Sequence, residues 1–357
     1  MDFPQLKPRR AVARMAPYHP PSAGRAGKLR LDFNENTVGA SPRVVAKLQE
    51  ILTAEALTIY PEYTEVAPAL ARFFEVGEDE LAVTNGTDEA IQVLANAFLS
   101  EGDDVVILTP SYAMYRFYAE VAGASIRTVP YQPGTLKFPL ETLLDEIRPE
   151  TKAIFISNPN NPTGTAIGRE GLEAILDAAP GAAVLVDEAY YEFCGITMLP
   201  YLNEHPNLFV SRTFSKVYGM AALRVGCLFS CSENMQHIHK SHSPYSVNLL
   251  AAVAAKAAVE DPAFMRGYVM EVLAAREVLT AGLEKLGIPY YPSQANFVLM
   301  QIGAGAQAFC DALRESGILV RNRSYEIAGA VRVTVGTQEQ TRRFLEAAEP
   351  VWRRVRG

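Results

Sequence analysis

The sequence predicts an α/β protein, with a large unit built on a mostly parallel, seven-stranded type of sheet under helices on both faces and a smaller α+β unit after it. Three features carry that expectation. Strand-like segments near 104–108, 153–157, 182–187, 208–211 and 224–230 alternate with helix-like stretches, the order expected of parallel strands joined by crossover helices. The run Ala182-Ala183-Val184-Leu185-Val186 is continuously apolar rather than alternating, as in a strand buried on both faces. A helix-like run from about Pro262 to Leu286 then leads to strand-like pieces at 296–301 and 331–335, which belong to the smaller unit. The divisions expected are 1–36 as an N-terminal arm and part of the small unit, 37–260 as the large unit, and 261–357 as the small C-terminal unit.

Taken in order, the elements place several polar groups at strand and helix ends. A proline-rich arm precedes Ser41-Pro42, which opens a helix-like stretch. Thr84-Asn85-Gly86-Thr87-Asp88-Glu89 precedes a helix in which Ile91, Leu94, Ala95 and Phe98 share one stripe. Gly86 lets the backbone come close to a ligand, Thr87 offers a hydroxyl, and Asp88 and Glu89 suit the positive first turn. A helix-like stretch at 112–122 follows the strand near 104–108. Ser157-Asn158-Pro159-Asn160-Asn161-Pro162-Thr163-Gly164 is dense in Pro, Asn and Gly and reads first as a turn.

Lys216 draws these pieces together. It lies in Ser211-Arg212-Thr213-Phe214-Ser215-Lys216-Val217-Tyr218-Gly219, with Arg224 eight residues on and Asp187-Glu188-Ala189-Tyr190 upstream. A lysine amine can form a Schiff base with an aldehyde, but it cannot by itself hold a cofactor ring or draw electrons from a substrate. A carboxylate facing a pyridine nitrogen keeps that nitrogen protonated, and Asp187, at the end of the buried strand, suits this task. The Tyr190 hydroxyl can hydrogen-bond a phenolate oxygen. A phosphate needs a helix N-terminus, hydroxyls and preferably a forked guanidinium, which Gly86 to Asp88, Thr213, Ser215 and Arg224 supply. The set points to pyridoxal 5'-phosphate on Lys216. Singly, each piece also reads as ordinary structure: a polar strand end, a helix start, a solvent-facing strand arginine.

Asn161, Asp187, Tyr190, Lys216 and Arg224 stand in the order and local context of fold type I aminotransferases of class I/II, and the chain resembles the histidinol-phosphate aminotransferases among them. The likeness runs through Leu31-Asp32-Phe33-Asn34-Glu35-Asn36, Tyr60-Pro61, Pro110-Ser111-Tyr112, Pro244-Tyr245, Gln294-Ala295-Asn296-Phe297, Gly317 to Arg321 and Val331 to Thr337. It therefore covers nearly the whole chain. Thr37, Ser246 and Ala222 depart from the usual pattern, without removing a group needed for amino transfer.

The resemblance implies that Lys216 carries the cofactor and shuttles a proton at the substrate's alpha carbon, with Asn161 and Tyr190 on the phenolate oxygen and Tyr112 stacked on the ring. It implies a homodimer in which Tyr60 reaches the partner's cofactor phosphate. Arg332 is expected to grip an alpha-carboxylate, with Tyr18, Arg321 and Asn296 toward the substrate's far end. The reaction implied converts L-histidinol phosphate and 2-oxoglutarate to imidazole acetol phosphate and L-glutamate. An aromatic or broad-range amino acid aminotransferase is the nearest alternative, and a threonine-phosphate decarboxylase-like enzyme a further one.

Composition narrows the partners. At 357 residues, 49% hydrophobic and 20% charged, the chain can bury a large core. A net charge of -7 argues against nucleic acid or an anionic membrane as partner. No stretch approaches the roughly 20 apolar residues of a membrane span, and the first residues lack an apolar signal core, so a cytoplasmic protein is expected. Four scattered cysteines agree with reduced thiols. His237, His239 and His242 cluster, but the first two sit at i and i+2 and point apart on a helix, so they read as a polar face and no metal is expected. Nucleotide fingerprints and a Gly-x-Ser-x-Gly elbow are absent from the sequence.

Overall fold

The computed structural model describes residues 6–17 and 24–356. After a short strand β1 (Leu29–Arg30), the chain builds a central sheet from β2 (Leu81–Thr84), β3 (Asp104–Thr109), β4 (Ser125–Pro130), β5 (Thr151–Ser157), β6 (Ala183–Asp187), β7 (Leu208–Thr213) and β8 (Gly226–Phe229). The strand order is β2-β8-β7-β6-β5-β3-β4, and β8 alone runs antiparallel to its neighbours.

Both faces are covered, which explains the continuously apolar strands. β5 sends Ala153 and Phe155 into a core shared with the helices Gly86–Phe98, Ala113–Ala122 and Ser232–Ser241, and sends Ile154 and Ile156 into the core on the other face. Burying a side chain of this size contributes about 1.5–3 kcal/mol each. The two strands that the apolar pattern does not announce, β2 and β4, are the sheet's two edges. Each is paired on one side only, so Ser125-Ile126-Arg127-Thr128 can keep polar residues that a central strand excludes.

The later part of the chain forms a second, antiparallel sheet. It contains β9 (Tyr290–Tyr291), β10 (Phe297–Gln301), β12 (Arg321–Asn322) and β13 (Ala330–Thr334) in the order β12-β13-β10-β9, while β11 (Ile318–Leu319) pairs in parallel with β1. The helix Pro262–Leu286 leads there, starting with Asp261 as N-cap and Pro262 in its first turn and stopping at Gly287, whose φ of 66° is in the left-handed region. The helix Gln338–Val355 packs against it. Among the described residues no helix is long and apolar enough to cross a membrane.

Strand register decides where chemistry can occur. Ser157 lies opposite Asp187, and Asp187 opposite Ser211. Thr213 lies opposite Gly226, which lies opposite Thr84. The chain order reverses at β3, with β4 on one side and β5 on the other, so the carboxyl ends open onto a crevice of the kind in which α/β sheets bind ligands. The N-terminal arm closes the crevice's far side. The Leu31 N–H donates to the Leu319 carbonyl and the Leu31 carbonyl accepts from the Thr334 N–H, both at 2.9 Å, which delivers residues 32–36 to the opening.

Candidate active site

A cleft of about 750 Å³ lies beyond these strand ends. That is ample for a cofactor together with a small substrate. Asp187, at the end of β6, is only 3% exposed. It accepts hydrogen bonds from the Tyr115 hydroxyl at 2.7 Å, the Ser211 hydroxyl at 2.9 Å and the Ala189 N–H at 3.2 Å. These donors are neutral and hold the carboxylate in place without cancelling its charge. Burial pushes its pKa up to about 6, against the pull of those hydrogen bonds. A cationic ring nitrogen is the partner such a carboxylate favours.

The helix Gly86–Phe98 presents its N-terminus to the same cleft. The Thr87 hydroxyl there is buried with no hydrogen-bond partner among the described residues, so it is available to a phosphate oxygen. Arg224 comes from the turn before β8 in left-handed backbone (φ 56°), a conformation that costs a non-glycine residue about 1–3 kcal/mol. Its guanidinium donates to Asp88 Oδ2 at 3.2 Å and to the Ser215 hydroxyl at 3.4 Å. Tyr112 donates to the other Asp88 oxygen at 2.6 Å. The Asp88 side chain therefore aims Arg224 and Tyr112, and its backbone N–H lies in the helix's first turn, where such groups lack an intrahelical acceptor. Thr213 Oγ1 accepts from the Ser215 N–H at 3.1 Å and shapes the turn before Lys216.

Gly86 is required for close approach. Its φ is 75°, and an added Cβ would lie 2.7 Å from Arg224 Nη2. Gly86→Ala should therefore lower stability by about 1–3 kcal/mol in urea unfolding and weaken cofactor binding about tenfold or more in equilibrium dialysis. An unchanged dissociation constant would show that Arg224 can move without loss.

Lys216 Nζ donates to the Phe33 carbonyl at 3.0 Å and lies 5.9 Å from the centre of the Tyr190 ring. Burial, reinforced by the Arg332 and Arg224 guanidinia and opposed by Glu35 and Asp88, pulls its pKa down to about 8. About a tenth of it is then uncharged at pH 7, far more than for an ordinary lysine, and the uncharged form is the nucleophile and proton acceptor. The Tyr190 hydroxyl accepts from Asn34 Nδ2 at 3.0 Å.

Arg332 is buried in β13, with one amine donating to the Asp32 carbonyl at 2.8 Å and the other to Asn161 Oδ1. With that oxygen committed to Arg332, the Asn161 amide nitrogen is the end free to serve another acceptor. Arg332 Nε is buried without a partner among the described residues. Arg321 stands directly opposite Arg332 in the β12–β13 ladder. Like charges so placed are destabilising. Burial first, then Arg323 and Arg321, brings the pKa of Arg332 down to about 10. Such a pairing is tolerable where anions are bound.

Thr87, Asp88, Tyr112, Asn161, Asp187, Tyr190, Thr213, Ser215, Lys216, Arg224, Arg321 and Arg332 all line one cleft. Asn296 does not. It is fully buried and donates to the Asn34 carbonyl at 3.2 Å, because β10 turns it into the joint between the arm and the small sheet. Its effect on the site passes through Asn34, whose left-handed backbone (φ 56°) it helps hold. Tyr60 is 74% exposed and stacks on Tyr245 at 4.7 Å, away from this chain's own cleft. Tyr18 lies outside the described residues. Sequence reasoning quoted Phe33 and Asn34 without assigning them work and passed over Tyr115. No local pattern marks Tyr115, an apolar-face helix position whose hydroxyl happens to reach β6.

A family model for aminotransferase class I and II matches residues 26–347. The chain belongs to the class I and II aminotransferases. It is 38% identical over 353 residues to the histidinol-phosphate aminotransferase of Symbiobacterium thermophilum, covering 95% of this chain and 97% of that one. It is 37% identical over 335 residues to histidinol-phosphate aminotransferase 2 of Methylococcus capsulatus, covering 90% of each. The fold superposes on the crystal structure of the Sinorhizobium meliloti histidinol-phosphate aminotransferase in complex with pyridoxal 5'-phosphate with a TM-score of 0.89 over 99% of both chains, at 24% identity. The aminotransferase described here thus has the fold type I architecture expected of its motifs.

Proposed function

We propose that this aminotransferase carries pyridoxal 5'-phosphate on Lys216 and moves an amino group from L-histidinol phosphate to 2-oxoglutarate, yielding imidazole acetol phosphate and L-glutamate. The observation that carries the substrate is the end-to-end similarity to relatives of that name. Arg321, which lines the cleft opposite Arg332 and has no ion pair among the described residues, agrees with it.

The buried donor set suits the cofactor. The Thr87 and Ser215 hydroxyls, the backbone at Gly86 and Asp88, and Arg224 would hold its phosphate, Asp187 its ring nitrogen, and Tyr190 with Asn161 its phenolate oxygen, under the Tyr112 ring. When bound, the cofactor supplies an aldehyde that takes up the amino group and a ring that accepts the electron pair released at the alpha carbon. Lys216 Nζ, with its lowered pKa, would take up the proton released at that carbon. Arg332 binds the alpha-carboxylate of glutamate in a forked geometry, and Arg321 faces the phosphate of the other donor.

Two chains build each site in this reading. Val38, Leu52, Leu57, Ile59 and Tyr60 are all exposed, and exposed Tyr245 packs on Tyr60, apolar surface of the kind a partner covers. Tyr60 would then reach the partner's cofactor phosphate. Sedimentation should give a dimer, and Ile59→Asp should shift it toward monomer with loss of activity; a fully active monomer would remove Tyr60 from the site. Four free cysteines suit a reducing cytoplasm.

A donor panel tests the substrate. Turnover with L-histidinol phosphate should exceed that with phenylalanine and tyrosine at matched concentration, and dephosphorylating the donor should cost at least about tenfold in kcat/KM, the loss of one charge-assisted contact. No loss on dephosphorylation would transfer the reading to an aromatic or broad-range donor. Carbon dioxide release without an oxo acid would make it a decarboxylase.

A further inference from the structure

The geometry points to Phe33 as the residue that positions Arg321 for the anionic end of the amino donor, an inference that rests on the reaction proposed above. Arg321 has no ion pair or side-chain hydrogen bond among the described residues. Its guanidinium carbon lies 5.5 Å from the centre of the Phe33 ring, a cation–π distance. Arg25 rests on the same ring at 4.4 Å. The two arginines differ in what else they hold. Arg25 donates to both Asp32 oxygens, at 2.9 and 3.1 Å, and to both Glu35 oxygens, at 2.7 and 3.2 Å, so its charge is spent inside the protein. It fixes the ring. The ring in turn steadies Arg321 without neutralising it, which a carboxylate in the same place would do.

This arrangement answers a specific problem. Arg321 faces Arg332 across the ladder and is repelled by it, so in the free enzyme a flexible arginine would swing to solvent and pay ordering entropy at each binding event. An aromatic face holds it at little desolvation. Phe33 also offers its carbonyl to Lys216 Nζ, so one residue links the amine that reacts to the cation that orients the donor. Because that link is a backbone one, side-chain replacement leaves it in place, and the two roles can be separated.

Phe33→Leu removes the ring and Phe33→Tyr keeps it. In Phe33→Leu holoenzyme the KM for L-histidinol phosphate should rise about tenfold, the middle of the range for a partly desolvated cation–π contact, with kcat within about twofold and the visible absorption of the cofactor unshifted. Phe33→Tyr should restore the KM. A second readout is independent of the donor's identity: the rise in melting temperature that inorganic phosphate gives the holoenzyme should shrink in Phe33→Leu and return in Phe33→Tyr. An unchanged KM and an unchanged phosphate effect in Phe33→Leu would overturn the inference, as would a fall in kcat with no change in KM. If the parent enzyme fails to use L-histidinol phosphate while the phosphate effect still depends on the ring, the substrate reading falls and the role of Phe33 stands.

Discussion

Lys216→Ala should lower turnover by at least about 10⁴-fold, the upper range for loss of a positioned proton-transfer group, and should remove the visible absorption of the holoenzyme. The reason is that no other described group lining the cleft can both attack an aldehyde and carry the proton. Its other cationic lining groups, Arg25, Arg224, Arg321, Arg323 and Arg332, are guanidinia, which stay protonated in water and neither attack an aldehyde nor take a proton from carbon. Among the described lining groups Lys216 alone is an amine, held by the Phe33 carbonyl and lowered to a pKa of about 8 by burial and by neighbouring arginines. The measurement is a single turnover with each amino donor, read at the cofactor's absorption. Full activity in the variant would refute the assignment of Lys216.

Asp187→Asn should act in opposite directions on stability and on turnover. In the cofactor-free protein burial raises the Asp187 pKa from 3.8 to about 6. A carboxyl group whose folded pKa is raised binds its proton more tightly when folded. Its stabilising contribution is present below about pH 4 and is lost as pH rises through about 6, a difference of about 3 kcal/mol. Asparagine carries no charge and removes that dependence. The cofactor-free variant should therefore unfold at higher urea than the parent at pH 8, and the gap should close toward pH 4. With cofactor bound the carboxylate has a cationic partner, so the same change should cost about 10²- to 10³-fold in kcat through loss of electrostatic stabilisation. Parallel urea curves for parent and variant across pH 4 to 8 would show that Asp187 is not ionised against its surroundings.

These expectations differ in how they could be reached from sequence. Lys216, Thr213, Ser215 and Arg224 fall within twelve residues, and Asp187 and Tyr190 within four, so their chemistry shows in local context. β6 was legible because a strand buried on both faces has to be apolar throughout. The edge strands β2 and β4 were not, since one-sided pairing relaxes that demand. Tyr115 was hidden for a related reason: a buried helix tyrosine looks like any core aromatic until its hydroxyl is seen 2.7 Å from Asp187. Asn296 does not line the cleft, because β10 buries it where its amide nitrogen donates to the Asn34 carbonyl, a placement no local pattern shows.

By itself the sequence singled out Lys216, the polar groups near it in the chain and the alternating α/β order, because each depends on residue types that are close in the chain or on the burial of a whole segment. Tertiary structure decided who meets whom across long separations. Asn34 reaches Thr334, 300 residues away, only because the arm is pinned between the β11 and β13 segments. The same pinning brings the Phe33 carbonyl to Lys216 and the Phe33 ring to Arg321. Asn161 meets Arg332 because the turn after β5 faces the small sheet. Such contacts depend on how sheets and arm pack, and that packing leaves no local pattern to read.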